Sequence, residues 1–200
     1  MSGIEYKCPF CNTGSKGNEE QIQEIRKRVA ANDPASIFVL ANYHELGSGV
    51  LQQDQTKAME LYTRAADLGC GKAHSYLGDF YYEGGDLKKA KLHLEAAAMA
   101  GQNGARYIIG AMEGSSGNKE RAVKHWTISA SAGHYVAMHK LRLLFELGGV
   151  SRESIDSTLA AYNNSCVEMK SEARDAYIQW YIDHADDENI LMASVYYDEK

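Results

Sequence analysis

The sequence of 200 residues predicts an all-α fold built from repeated helical hairpins, on three observations. Apolar residues recur every three or four positions in an alanine-rich chain with only two prolines, which lays an apolar stripe along successive helices. Three stretches, "RAADLGCGKAHSYLG" (64–78), "AAAMAGQNGARYIIG" (96–110) and "ASAGHYVAMHKLR" (130–142), align without gaps at a shift of 32 residues. Within them Ala66, Ala98 and Ala130 coincide, as do Gly69, Gly101 and Gly133, and Ala73, Ala105 and Ala137. A period of that length marks stacked supersecondary units.

The first element is a lone helix over 19–31. Asn18 with Gln21 suits a capping box, Ile22, Ile25 and Val29 share one face, and Glu19/Glu20 and Lys27/Arg28 complement the helix dipole at opposite ends. Asn32 stands where Gly69 stands one unit later, so this helix is expected to cap the array as a half-repeat.

Each following unit pairs two helices. The second helix opens at Asp54, Asp86 and Asn118, residue types whose side chains accept from the free N–H groups of a helix start. It carries Ala58, Ala90 and Ala122, then Tyr62, Leu94 and Trp126 one turn later, and closes at Gly69, Gly101 or Gly133 with the left-handed conformation that glycine adopts freely. The first helix carries Ala73, Leu77 and Tyr81 at i, i+4 and i+8. A small residue follows the large one at Leu40-Ala41, Leu77-Gly78 and Ile109-Gly110, as expected where two antiparallel helices cross closely. In the first unit Ser36, Leu40, His44 and Gly47 correspond to Ala73, Leu77, Tyr81 and Gly84, a shift of 37, so its "GSGVLQQD" loop is longer by about five residues. The fourth unit opens with Ala137, Leu141, Phe145 and Gly148, and its second helix is expected to be longer and less regular, as terminal repeats are. Residues 1–17 form an N-terminal segment, 18–182 the repeat array of about four hairpins, and 183–200 an acidic tail.

Hairpins reading small-x-x-x-L-G-x-x-Y-x-x-G, then an acidic N-cap, K-A and A-A-x-x-G, resemble Sel1-like repeats, relatives of the tetratricopeptide repeat. "SYLGDFYYEGGDLKKAKLHLEAAAMAG" and "VLANYHELGSGVLQQDQTKAMELYTRAADLG" carry the resemblance; in the third unit Glu113 replaces the aromatic. The resemblance implies a right-handed α-solenoid and the role of an adaptor or scaffold that binds a protein or peptide on its concave face rather than an enzyme. It also implies that the first helix of each hairpin lines that face, with Phe38, Asn42 and Glu45, then Ser75, Asp79 and Tyr82, then Tyr107, and His139 with Leu143 turned toward a partner. The Lys/Arg clamp that some tetratricopeptide proteins use for a C-terminal carboxylate is not visible at these positions. Hydrolases with this type of repeat carry a repeated cysteine pair, which this chain lacks.

The other chemical signal is "KCPFCNTG". Cys8 and Cys11 have the spacing of a zinc knuckle, yet tetrahedral zinc needs four ligands, and this sequence offers no second pair. The C-P-x-C also resembles the closing knuckle of a RING-type domain, which makes an accessory or degenerate ubiquitin-ligase-related protein the alternative function. An inert remnant is the leading expectation, with zinc shared with a second chain and a thiol-disulfide role behind it. No cofactor is expected otherwise.

Histidines fall in no H-E-x-x-H pattern. His93 and His125 share a repeat column beside core residues, and His134 and His139 are expected on the surface and in the groove. Cys70 and Cys166 read as packing residues. A net charge of −6 with scattered lysines and arginines argues against nucleic acid as partner. No apolar run approaches the roughly 20 residues of a membrane span, and the first residues lack the apolar core of a secretory signal, so a soluble cytoplasmic protein is expected.

Overall fold

The computed structural model describes residues 19–47 and 51–168. Among these every regular element is α-helical: α1 (Glu19–Ala30), α2 (Pro34–Leu46), α3 (Gln55–Asp67), α4 (Gly71–Glu83), α5 (Leu87–Met99), α6 (Asn103–Ser115), α7 (Lys119–Ser131), α8 (Tyr135–Glu146) and α9 (Arg152–Glu168). The chain divides after Ala100 into two compact units, with α1 to α5 in the first and α6 to α9 in the second. Asn18, Cys8, Cys11, residues 169–182 of the expected array and the acidic tail lie outside the described residues.

In the first unit α1 packs on α2, α2 pairs with α3, α3 contacts α4, and α4 pairs with α5. The apolar columns account for the pairing. Ile37 and Ala41 of α2, Ala58, Tyr62, Ala65 and Ala66 of α3, and Ala73 and Leu77 of α4 form one buried cluster, so Leu77 fills the space between its own hairpin and the one before. Each fully buried large side chain of this kind contributes about 1.5–3 kcal/mol.

Six helix ends share one closure. After α3, Gly69 N–H donates to Ala66 O and Cys70 N–H to Ala65 O, three and five residues back. The same pair of bonds recurs at Asn32 and Asp33, Gly85 and Asp86, Gly117 and Asn118, Gly133 and His134, and Gly148 and Gly149. This Schellman arrangement satisfies the orphan carbonyls at a helix end and puts its pivot residue at positive φ. Asn32 holds that conformation (φ 57°) without being glycine, as its alignment with Gly69 anticipates. In the second hairpin the pivot is Gly85 (φ 79°) rather than Gly84, whose φ of −73° is right-handed.

Helix starts follow the predicted columns in part. Asp54 accepts from Lys57 N–H and Asp86 from Lys89 N–H. Asn118 occupies the equivalent position but makes no capping bond; its side chain is turned so that Nδ2 donates to Glu113 Oε2 at 2.9 Å. α2, whose first residue is Pro34, is capped by Asp33, which accepts from Ser36 N–H at 3.1 Å.

In the second unit α6 pairs with α7, α7 contacts α8, and α9 packs on both α7 and α8. α9 has 17 residues against 13 for α3, α5 and α7, in line with the expected longer final helix. The reason for the altered packing is legible at the small-residue column. A Cβ built on Gly78 would stand 2.7 Å from Leu94 Cγ, and one on Gly110 would stand 2.6 Å from Trp126 Nε1. The large residue of the second helix therefore sits where the glycine side chain would be. In the fourth hairpin Arg142, exposed, occupies that column, and no seat exists.

Opposite effects are expected from two glycines of α6. Gly110→Ala gains about 1 kcal/mol of helix propensity but displaces Trp126 and its bond to Tyr107 O, and overpacking of this kind costs about 1–3 kcal/mol beyond that gain. Gly114→Ala meets only ordinary contacts, the nearest Trp126 Cη2 at 3.5 Å, and should stabilise by roughly 0.5–1 kcal/mol. Urea denaturation of both variants checks the pair; equal signs would contradict the seat.

Candidate functional site

Three aromatic rings from three helices meet in the first unit. Tyr62 of α3 stacks on Tyr76 of α4 with ring centroids 3.8 Å apart, and Phe38 of α2 leans on Tyr62 at 5.6 Å. Tyr62 is wholly buried, so its hydroxyl needs a partner. It lies 2.6 Å from both Asn42 Oδ1 and Glu45 Oε2. A phenol has one proton to donate; with the Asn42 amide turned over, Nδ2 donates to the phenol oxygen and the phenol donates to Glu45. The Tyr76 hydroxyl makes a short hydrogen bond to the other oxygen of the same carboxylate. Glu45 thus clamps α3 and α4 to the C-terminal end of α2, and Gln53 Nε2 donates to its carbonyl at 2.9 Å, tying the loop to the same point.

Around this cluster the sequence-predicted positions divide by exposure. Phe38, Asn42, Glu45 and Tyr82 are half-buried, whereas Ser75 and Asp79 are buried. Ser75 Oγ has no hydrogen-bond partner among the described residues. In the second unit Tyr107 is buried and stacks on His134 at 5.2 Å, while its carbonyl accepts from Trp126 Nε1 at 3.1 Å. His139 is half-buried and Leu143 exposed.

Tyr62 and Tyr76 were not among the predicted contact residues. Tyr62 reads as a core column with Leu94 and Trp126, and Tyr76 precedes Leu77 by one, outside the offsets used. The available signal was chemical: a phenol in a column otherwise held by leucine and tryptophan implies an acceptor nearby.

His134 corrects another expectation. It is buried rather than exposed, and its Nδ1 accepts from Ala137 N–H at 3.1 Å, capping α8. An imidazole nitrogen can take the place of the Asn or Asp oxygen at an N-cap, and the residue after the turn glycine is where α8 needs one. Glu113, at the aromatic column, is buried and held by Asn118 and by Arg121 at 3.5 Å. Cys70 is half-buried and packs against the first unit's core; Cys166 is half-buried in α9.

His93 of α5 faces His74 of α4 with Nδ1 to Nδ1 at 3.0 Å and stacks on Tyr81 at 5.6 Å. Burial and the neighbouring His74 hold the His93 imidazole below the usual histidine range, against a smaller upward pull from Asp67. His44, buried with Nδ1 unpartnered among the described residues, is likewise lowered, by burial first and then by Lys57. No described helix is long and apolar enough to cross a membrane.

Successive antiparallel helical hairpins, most of their helix ends closed by one kind of turn and two of them locked by a glycine-against-large seat, define an α-hairpin repeat protein. Three successive stretches, 34–70, 71–102 and 104–134, match the Sel1 repeat and together span half of the chain. The chain therefore belongs to the Sel1 repeat family. Its fold is that of an all-α repeat solenoid, similar to a Sel1 repeat protein from Oxalobacter formigenes (TM-score 0.63, 22% identity, 82% of this chain and 69% of that one). It is also similar to c5321, a protective antigen of uropathogenic Escherichia coli with an SLR fold (TM-score 0.59, 20% identity, 90% of this chain and 44% of that one). Among curated proteins it is 33% identical over 88 residues to chitin synthase regulatory factor 4 of Schizosaccharomyces pombe. That match takes in 42% of this chain and only 14% of the relative's length.

The lowered histidines set a pH dependence. Above the unfolded value of 6.5 both states are neutral and contribute nothing; below it the unfolded chain takes up protons that folded His44 and His93 resist, so stability falls as pH drops. Asp33 and Asp86, lowered from 3.8 mainly by hydrogen bonds from Ser36 and Lys89, add a separate loss at lower pH as they protonate through their folded values. The urea midpoint should therefore fall between about pH 7.5 and 5.5, and His44→Gln should flatten that fall. An unchanged slope in the variant would remove His44 from the account.

Proposed function

We propose that this chain is a non-enzymatic scaffold that holds a protein or peptide segment on the first-helix side chains of its hairpins, chiefly Phe38, Asn42, Glu45 and Tyr82 in the first unit. The observation that carries the proposal is the ring stack Phe38, Tyr62 and Tyr76 pinned by Glu45. It presents half-buried aromatic edges whose orientation is set before any partner arrives, and rigid aromatic anchors are where binding energy concentrates. The flanking carboxylate favours a segment carrying apolar and basic side chains over an acidic one. Ser75, Asp79 and Tyr107 are buried; on this proposal they support the face, and His139 with Leu143 extend recognition in the second unit. Membership of a family of interaction scaffolds supports a binding role, as does the matched curated relative's name, a regulatory factor.

Affinity purification from the native cell identifies the partner, and variants then test the face. Phe38→Ala and Tyr82→Ala should each weaken capture of the same partner by about 2 kcal/mol, roughly 30-fold in Kd, while Lys124→Ala on α7 leaves it unchanged. Retention of every partner by the double variant would overturn the proposal. On the scaffold reading Cys8 and Cys11 hold no stoichiometric zinc. One zinc per purified chain, lost in Cys8→Ser, would instead favour the ligase-related alternative.

A further inference from the structure

The pair formed by His74 and His93 is used by neither the hairpin seat nor the aromatic stack. Both rings are half-buried at the junction of α4 and α5, with their Nδ1 atoms 3.0 Å apart. Two nitrogens bound to one metal at about 2.0–2.1 Å stand about 2.9 Å apart at a right angle and about 3.3 Å apart at the tetrahedral angle. The observed separation matches neighbouring corners of a square-planar or octahedral site. We propose that His74 and His93 form a two-imidazole site for a divalent transition metal that favours such geometry, Cu2+ or Ni2+ ahead of Zn2+.

Three features of the surroundings support this. Tyr81 stacks on His93 with the planes 16° apart, which fixes the ring that must present its nitrogen. The α4–α5 pairing is rigid at this level, because Leu94, next to His93, is seated against Gly78. Asp67, at the end of α3, lies close enough to act electrostatically on His93 and favours a cation there. Lys89, 4.9 Å above the far partner Tyr81, is the opposing charge. No cluster of three or more ligating side chains occurs among the described residues, so the proposed site takes two protein ligands from them, and water is the ligand proposed for its other positions.

Without metal, one ring carries its proton on Nδ1 and donates to the other. On metal binding that proton moves through solvent to Nε2 of the same ring. Both imidazoles stay neutral, both Nδ1 lone pairs go to the metal, and no net proton is released. Acid that charges either ring competes with the metal.

Calorimetric titration of Ni2+ into the full-length chain carrying Cys8→Ser and Cys11→Ser isolates this pair from the cysteine knuckle and avoids thiol oxidation by copper. One Ni2+ per chain is expected, with a matching rise in Tm. His74→Gln and His93→Gln, which keep bulk and a polar group, should each weaken binding by at least about tenfold and abolish the Tm rise. His125→Gln, in the other unit, should leave both intact. If a Gln variant loses its circular dichroism, long-range proton–nitrogen NMR of the parent with Zn2+ substitutes for it, expected to shift the His74 and His93 Nδ1 signals alone. Stoichiometric binding that survives both Gln variants, shifts at other histidines, or no Ni2+ binding at micromolar metal would overturn the proposal.

Discussion

A missing side chain is what the hairpins depend on. Glycine inside a helix costs about 0.5–1 kcal/mol relative to alanine, so Gly78 and Gly110 weaken their helices taken alone. Each leaves a hollow that a large residue of the partner helix fills: Leu94 lies within 2.7 Å of where a Gly78 Cβ would be, and Trp126 within 2.6 Å at Gly110. Burying side chains of that size is worth about 1.5–3 kcal/mol or more, which outweighs the propensity cost. The seat also fixes the rotation and height of one helix against the other, because a knob fits one hollow. In the fourth hairpin the hollow is replaced by Arg142, and α9 spreads over α7 and α8 instead of pairing with α8 alone.

Turns repeat as faithfully as seats, and the two together place the polar chemistry. A Schellman closure ends six of the helices, and after five of those only three residues come before the next helix starts. Side chains at given offsets from the turn therefore arrive at given offsets from the seat. Tyr62 occupies the column of Leu94 and Trp126, and its ring fills the same kind of space, but its hydroxyl reaches past the core to Asn42 and Glu45. Trp126 solves the same problem by donating from Nε1 to Tyr107 O. Each unit thus acquires a buried polar contact at the column that packs it, and in the first unit that contact organises an aromatic cluster at the surface.

Buried titratable groups follow from the same economy of space. His134 caps a helix from inside the second unit, Glu113 pairs with Arg121 and accepts from Asn118, and half-buried His93 shares an interface with His74. Half-exposed aromatic edges beside one clamped carboxylate suit recognition of another chain, whereas the imidazole pair is separate in chemistry and in position on α4 and α5.

Much of the fold was legible in the sequence because it repeats. The 32-residue columns located the helices, the glycines that end them, the longer first loop and the atypical last helix, since each column has one local job that residue type reveals. Asn32 could be placed at a left-handed turn from alignment alone. Where local rules offered near equivalents the sequence was ambiguous: Gly84 and Gly85 both suit a turn, and only the hydrogen bonds from Gly85 and Asp86 decide between them. Asn118 looked like a cap, but its Nδ2 donates to buried Glu113, five residues back, and its side chain accepts from no helix N–H. Contacts between columns were beyond reach. That Tyr62 and Tyr76 share one carboxylate, that Ser75, Asp79 and Tyr107 are buried, and that two imidazoles meet at 3.0 Å depend on how helices distant in sequence rotate against one another. Packing sets that rotation, and no single helix encodes it.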